Sequence, residues 1–212
     1  MSQFSNSQKK EGFTLIEIII AIFILSVAIV GIFSAFSIVL ILTSDLADRL
    51  TATYLAQEGI EIVRNIRDTN WLNMDANPDS GYTWVDGLGV DEFLNCDQGC
   101  KADYTTGIKT SVMSPWTGTA ADYLYINDIN GFYDYTQTGT KTKFKRKIII
   151  TPLADVGGNS DHILKVIVET SWDRKATILN DTIMAGSADP ADSSKCDPSN
   201  CVTAEEMLYN WY

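Results

Sequence analysis

Histidine is nearly missing from this 212-residue chain: His162 is the single one, beside Asp161 in a polar stretch. Without a second imidazole, paired His chemistry and His-rich metal clusters have no basis, and a lone turn histidine reads as an exposed side chain. A glycine-rich phosphate loop ahead of a helix and an HExxH pattern are absent too. Basic residues are scarce, 16 against 27 acidic, for a formal net charge of −11. That balance argues against nucleic acid as a partner held by a broad basic surface. Positive charge concentrates at Lys141, Lys143, Lys145, Arg146 and Lys147, a run that reads first as one solvated strand and turn, with a local DNA contact as the alternative. No proline precedes Pro78, and no charge interrupts the segment from Ile18 to Leu42.

That segment is what the chain does have. Its 25 residues are rich in Ile, Val, Leu and Phe, broken by Gly31 and a few serines. At about 1.5 Å per helical residue they reach about 37 Å, more than the roughly 30 Å of a bilayer's hydrocarbon core. Lys9 and Lys10 precede the run, and Asp45 and Asp48 follow it. The positive-inside bias then places the N-terminus in the cytoplasm and residues beyond about 43 outside, in a single pass of the inner membrane. The leader is short and polar, the apolar segment is too long for a secretory h-region, and no small-x-small cleavage site follows it. Any cut should therefore fall before the run. Glu17 stands at the mouth of the segment, where an unpaired carboxylate is costly and calls for a specific partner.

Gly12 followed by Phe13-Thr14-Leu15-Ile16-Glu17 resembles the class III signal of type IV pilins and type II secretion pseudopilins. The resemblance covers about the first 30 residues. It implies cleavage between Gly12 and Phe13 by a membrane prepilin peptidase, which also N-methylates Phe13. It puts Glu17 at the fifth mature position, where the family carries its acidic residue. The nearest cation after the cut is the α-amino group of Phe13, in the same or a neighbouring subunit, so an intersubunit pair would set filament register. An ordinary signal-anchor helix whose Glu17 reaches back to the headgroups is the competing account. Two positions depart from the family habit: Glu11 just before the glycine, and Ser34 where many members carry proline.

Four cysteines form two close pairs, Cys96/Cys100 and Cys196/Cys201, beyond the apolar run. Three disulfide connectivities are possible, and local pairing closes two small polar turns. A four-thiolate zinc site is the alternative, though its thiols would have to stay reduced and its spacing is usually tighter. A C-terminal disulfide loop is also what the pilin resemblance implies. Asp128-Ile129-Asn130-Gly131 has a superficial calcium-loop look but lacks the closing Glu, so a hairpin turn is the expectation. No catalytic residue, resident metal or cofactor is expected.

Periodicity carries the helix onward to about residue 68. Ala52, Leu55, Ala56, Gly59, Val63 and Ile66 share one face, opposite Glu58, Glu61, Arg64 and Asp68. Sheet contact on the small-residue face should begin near residue 50. Residues 70–122 read as irregular, with Trp71, Trp84 and Trp116 as core anchors. Strands are expected at 123–126, 132–135, 144–151 and 164–172, with 155–161 as a hairpin loop and 176–184 as a weak last strand. The fold class expected is α+β: a long N-terminal helix packed on an antiparallel β-meander. The expected parts are a leader 1–12, a membrane or filament-core helix 13–42, its amphipathic continuation 43–69 and an extracytoplasmic head 70–212.

The functional expectation is a structural subunit, not an enzyme. The long head, the cysteine pairs and Leu55-Ala56-Gln57-Glu58-Gly59-Ile60-Glu61 resemble a minor, pilus-modifying pilin. A type II secretion pseudopilin, a DNA-uptake pilin and a signal-anchored binding module are the alternatives. Implied partners are the prepilin peptidase/methylase, other pilin subunits through the N-terminal helix, and the inner membrane, before display in a surface or periplasmic filament.

Overall fold

A computed structural model describes residues 12–90, 95–107, 113–153, 163–173 and 196–210. The chain divides into two compact units, Met1–Leu46 and Ala47–Tyr212, and one helix, α1 (Leu15–Ala76), has residues in both.

In the first unit the helix begins where Thr14 can cap it. The Glu17 amide donates to the Thr14 carbonyl at 3.1 Å and to its Oγ1 at 3.4 Å. Thr14-Leu15-Ile16-Glu17 thus follows the Ser/Thr-x-x-Glu pattern that satisfies orphan amides at a helix start. Between Phe13 and Leu42 every large apolar side chain is exposed except Ile41, which is half-buried. The hydroxyls of Ser26, Ser37 and Thr43 bend back to the carbonyls of Phe23, Phe33 and Val39 at 2.8–2.9 Å. Those polar groups are satisfied by their own helix and need no water, as a hydrocarbon environment demands.

In the second unit α1 buries Ala52, Leu55, Ala56, Gly59, Ile60, Ile62, Val63, Ile66 and Asn70. This contains the whole face that periodicity marked. Contact starts slightly earlier than residue 50, because Asp48 pairs with Lys143 at 2.5 Å. The helix also runs past the expected end near 68. Asn70 donates through Nδ2 to the carbonyls of Trp84 and Asp86 at 3.2 and 2.7 Å, and Arg67 lies 4.5 Å over the Trp71 ring. The Asn70 bonds to the segment after the helix and the Arg67–Trp71 contact one turn apart within it hold two further turns that helix propensity left weak. Pro78, which lacks an amide and disfavours helix in the residue before it, ends the run.

Seven strands are present among the described residues: β1 (Cys100–Lys101), β2 (Ser114–Pro115), β3 (Tyr123–Ile126), β4 (Tyr133–Asp134), β5 (Thr140–Leu153), β6 (Ile163–Trp172) and β7 (Cys201–Tyr209). All pairings are antiparallel. The fold is α+β and pilin-like, one long helix followed by an antiparallel sheet. It is not a simple meander. After the β3–β4 hairpin the chain returns to the other edge of β3, so β5 pairs with β3 rather than with β4. Farther along, β5 also pairs with β1 at Ile148↔Cys100, on the edge opposite β6. The segment expected to be irregular therefore contributes two short strands to the sheet.

β7 was not foreseen. It pairs with β6 from Ser171↔Cys201 to Ile163↔Tyr209. Its pattern is masked by Glu205 and Glu206, and Glu206 turns out to hold Arg64, with Nε–Oε1 at 2.8 Å and Nη2–Oε2 at 2.7 Å. The 176–184 strand and the 155–161 loop lie outside the described residues, as does His162. β5 is longer than the expected 144–151.

The core has two parts. Ile60, Val63 and Ile66 pack with Leu88, Ile148, Ile150, Val166 and Val168, while Ala52 and Leu55 pack with Leu124, Phe144 and Trp172. Burying each such Leu, Ile or Phe stabilises the fold by about 1.5–3 kcal/mol. Trp84 belongs to the first part and Trp71 packs against it. Trp116 is only half-buried and is not a core anchor; its amide donates to the Gly99 carbonyl at 3.0 Å.

Candidate functional site

The first unit offers the clearest site. Gly12, Phe13 and Thr14 are exposed and precede the first helical residue, so the Gly12–Phe13 bond stands outside the helix. A Cβ added at Gly12 would meet nothing within 4 Å. Glu17 occupies the first turn, close to the helix's positive dipole end, which favours a carboxylate there. Thr14, which caps this turn, is a site residue that the residue-by-residue reading passed over. The Thr-x-x-Glu spacing was its signal. Glu17 and the exposed face behind it form an apolar rod with one acidic group at its start, a surface suited to lipid or to other helices of the same kind.

In the second unit the polar groups serve packing. Arg146 is fully buried, although the basic run suggested a solvated strand. Its Nη1 lies 3.0 Å from Glu58 Oε2 and donates to the Leu55 carbonyl at 3.2 Å, and its Nη2 donates to the Ala102 carbonyl at 2.7 Å. Glu58 therefore faces the sheet and does not belong with the solvent side of the helix. Arg64 pairs with Glu61 three residues before it at 2.5 Å, and Asp68 is held at 2.8 Å by Arg67. Tyr135 donates its hydroxyl to the Arg146 carbonyl at 2.9 Å, and burial pushes its pKa up to about 12. Asp122 is also buried. Burial acts to raise its pKa, but Lys101 at 2.9 Å and hydrogen bonds from Thr117 and Thr119 outweigh that and hold it below the ordinary value.

The remaining lysines of the run separate. Lys141 and Lys145 place their ammonium groups 3.9 and 4.5 Å from the Tyr123 ring centroid, and Lys143 pairs with Asp48. Lys147 packs where a Cβ on Gly99 would stand. Cys96 is bonded to Cys100 and Cys196 to Cys201. All four sulfurs are thereby used, and thiolates for zinc are not available. Asp128–Gly131 forms the tip of the β3–β4 hairpin. Its side-chain oxygens are turned inward: Asn127 Oδ1 accepts from the Ile129 amide, Asn130 Oδ1 from the Phe132 amide and Asp128 Oδ1 from the Thr140 hydroxyl. No group of three or more potential metal ligands occurs among the described residues.

Residues 7–33 match the family described as the prokaryotic N-terminal methylation motif, the class III signal of type IV pilins and pseudopilins. No curated protein and no solved structure matches the chain.

Proposed function

We propose that this chain, whose first 33 residues carry a type IV pilin- or pseudopilin-like prepilin signal, is a structural subunit of a type IV pilus-like filament. In this reading it is made as a membrane precursor, cleaved after Gly12 and N-methylated at Phe13. The observation that carries the reading is the bare helix directly behind the signal: its large side chains from Phe13 to Leu42 are exposed, Ile41 excepted. Such a surface needs lipid before assembly and other helices after it.

Glu17 then has a second task. Drawn from water into a helix bundle, its carboxylate needs a cation, and the methylated α-amino group of Phe13 in a neighbouring subunit supplies one. The pair fixes where one helix stops against the next. Residues 1–12 are the leader, 13–42 the filament core, and the head faces the extracytoplasmic side, with the amphipathic half of the helix taken to Ala76. The partners are the prepilin peptidase/methylase and other pilins.

The length of the head and its two disulfides favour a minor pilin over an abundant major subunit, and a type II secretion pseudopilin is the alternative within the same class. Neighbouring genes for an assembly ATPase, retraction motor or secretin distinguish pilin from pseudopilin. A signal-anchored binding module that never polymerises is the reading from another class. The decisive variant is Glu17→Ala expressed in the native host. Processing and membrane insertion should persist while incorporation into filaments is lost. Unchanged incorporation overturns the assembly role of Glu17.

A further inference from the structure

An acidic chain concentrates positive charge in one described part of the second unit. β5 takes four steps, from Lys141 to Lys145, where the facing strand takes two, from Tyr125 to Tyr123. This bulge brings two lysines of one strand to a single ring, with Lys141 Nζ and Lys145 Nζ at 3.9 and 4.5 Å from the Tyr123 centroid. Bulges commonly re-aim side chains in this way. The Tyr123 hydroxyl donates to Asp173, which raises its pKa to about 12. Lys143, inside the bulge, pairs with Asp48 at 2.5 Å. The adjacent Arg49 donates to the Pro198 carbonyl at 2.8 Å and lies 5.9 Å over the Trp172 ring. Lys141, Lys143, Lys145 and Arg49 thus gather in this part of a chain whose overall charge is −11, with Asp48 held by Lys143 and Asp173 by Tyr123.

We infer that Lys141 and Lys145, braced on Tyr123, bind the phosphate of an anionic glycerophospholipid headgroup while the subunit is held in the membrane. The occupant is fixed by the chain itself. Asp48 lies six residues beyond Leu42, the end of the apolar run. Even a fully extended chain spans only about 20 Å over six residues, which bounds how far Asp48, and the Lys143 paired with it, can stand from the end of the apolar run. Two ammonium groups on a neutral amphipathic ring match what an anionic bilayer surface selects. The acidic remainder of the head is repelled by the same surface, so the contact would orient the head before assembly. This inference rests on the membrane-precursor reading above.

The test uses the full chain in nanodiscs and in detergent. Native mass spectrometry counts retained phosphatidylglycerol against phosphatidylcholine for the wild type, for Lys141→Gln/Lys145→Gln and for the control Lys147→Gln. A preference for phosphatidylglycerol that falls about tenfold or more in the double variant, and persists in the control, supports the site. Single Lys141→Gln and Lys145→Gln variants, each with an unchanged thermal melt, replace the double variant if it fails to fold. Equal retention of the two lipids by the wild type overturns the inference. So does binding of inorganic phosphate or duplex DNA by these lysines with no lipid preference. If the chain does not enter the nanodisc at all, it is the membrane reading that fails; if it enters without lipid preference, only the headgroup site fails.

Discussion

Arg146 reaches the helix because residue 59 is glycine. A Cβ built at Gly59 would stand 3.1 Å from Arg146 Cδ and 2.8 Å from Val168 Cγ1. The absent side chain lets a buried guanidinium cross α1 to Glu58 and to the Leu55 carbonyl, while Ala102 receives its other end.

Gly59→Ala is therefore expected to destabilise the second unit. Alanine gains about 1 kcal/mol of helix propensity over glycine, but Val168 is a fully buried β-branched residue within β6 and has little room to yield. Overpacking of this kind costs about 1–3 kcal/mol. The net expectation is a lowered melting temperature of the detergent-solubilised full chain, measured by circular dichroism.

Truncating Arg146 should cost more. Arg146→Ala takes from the Ala102 carbonyl its guanidinium donor and from Glu58 its cation, while the Leu55 carbonyl keeps its place in the helix ladder, a loss of about 3 kcal/mol or more. Arg146→Met keeps the volume and removes the buried charge, so it should be milder than the alanine variant. Glu58→Gln leaves the fully buried Arg146 guanidinium without its counter-ion, so it should cost more than Arg146→Met and less than Arg146→Ala. Chemical denaturation of the three variants checks the ranking.

Stability should also fall at both ends of the pH range. Tyr135 by burial, and Tyr123 by its bond to Asp173, titrate at about 12 in the folded chain against an ordinary 10. Below pH 10 both states are protonated and the contribution is intact. From 10 towards 12 the unfolded chain releases protons that the folded chain keeps, so stability declines with rising pH. Asp122 is shifted the other way, below its ordinary 3.8. Its contribution is present above that value and is lost as the pH falls through the folded value. Melting temperatures across pH 2–12 check both limbs, and Tyr135→Phe should flatten the alkaline one.

The buried helix face was legible because Ala52, Leu55, Ala56, Gly59, Val63 and Ile66 repeat at helical spacing, and such patterns follow from burial on one side alone. β6 was legible for the same reason at period two. Arg146 was not, because a run of Lys and Arg gives no sign of which member turns inward; that choice belongs to the pleat of β5 and to the gap at Gly59. β7 was hidden by Glu206, whose place in a strand makes sense only once Arg64 is seen beside it. β1 escaped because two residues carry no periodicity, and its place is settled by pairing with Ile148. At the N-terminus the motif residues were plain, whereas the capping role of Thr14 needed the helix start to be located.

The account turns on what happens at Gly12. The most direct measurement is mass spectrometry of the N-terminus of the chain purified from its native membrane. The prediction is a mature chain that begins with N-methylated Phe13 and carries Glu17 as its fifth residue. An intact Met1, or a free and unmethylated start at any other position, would contradict it.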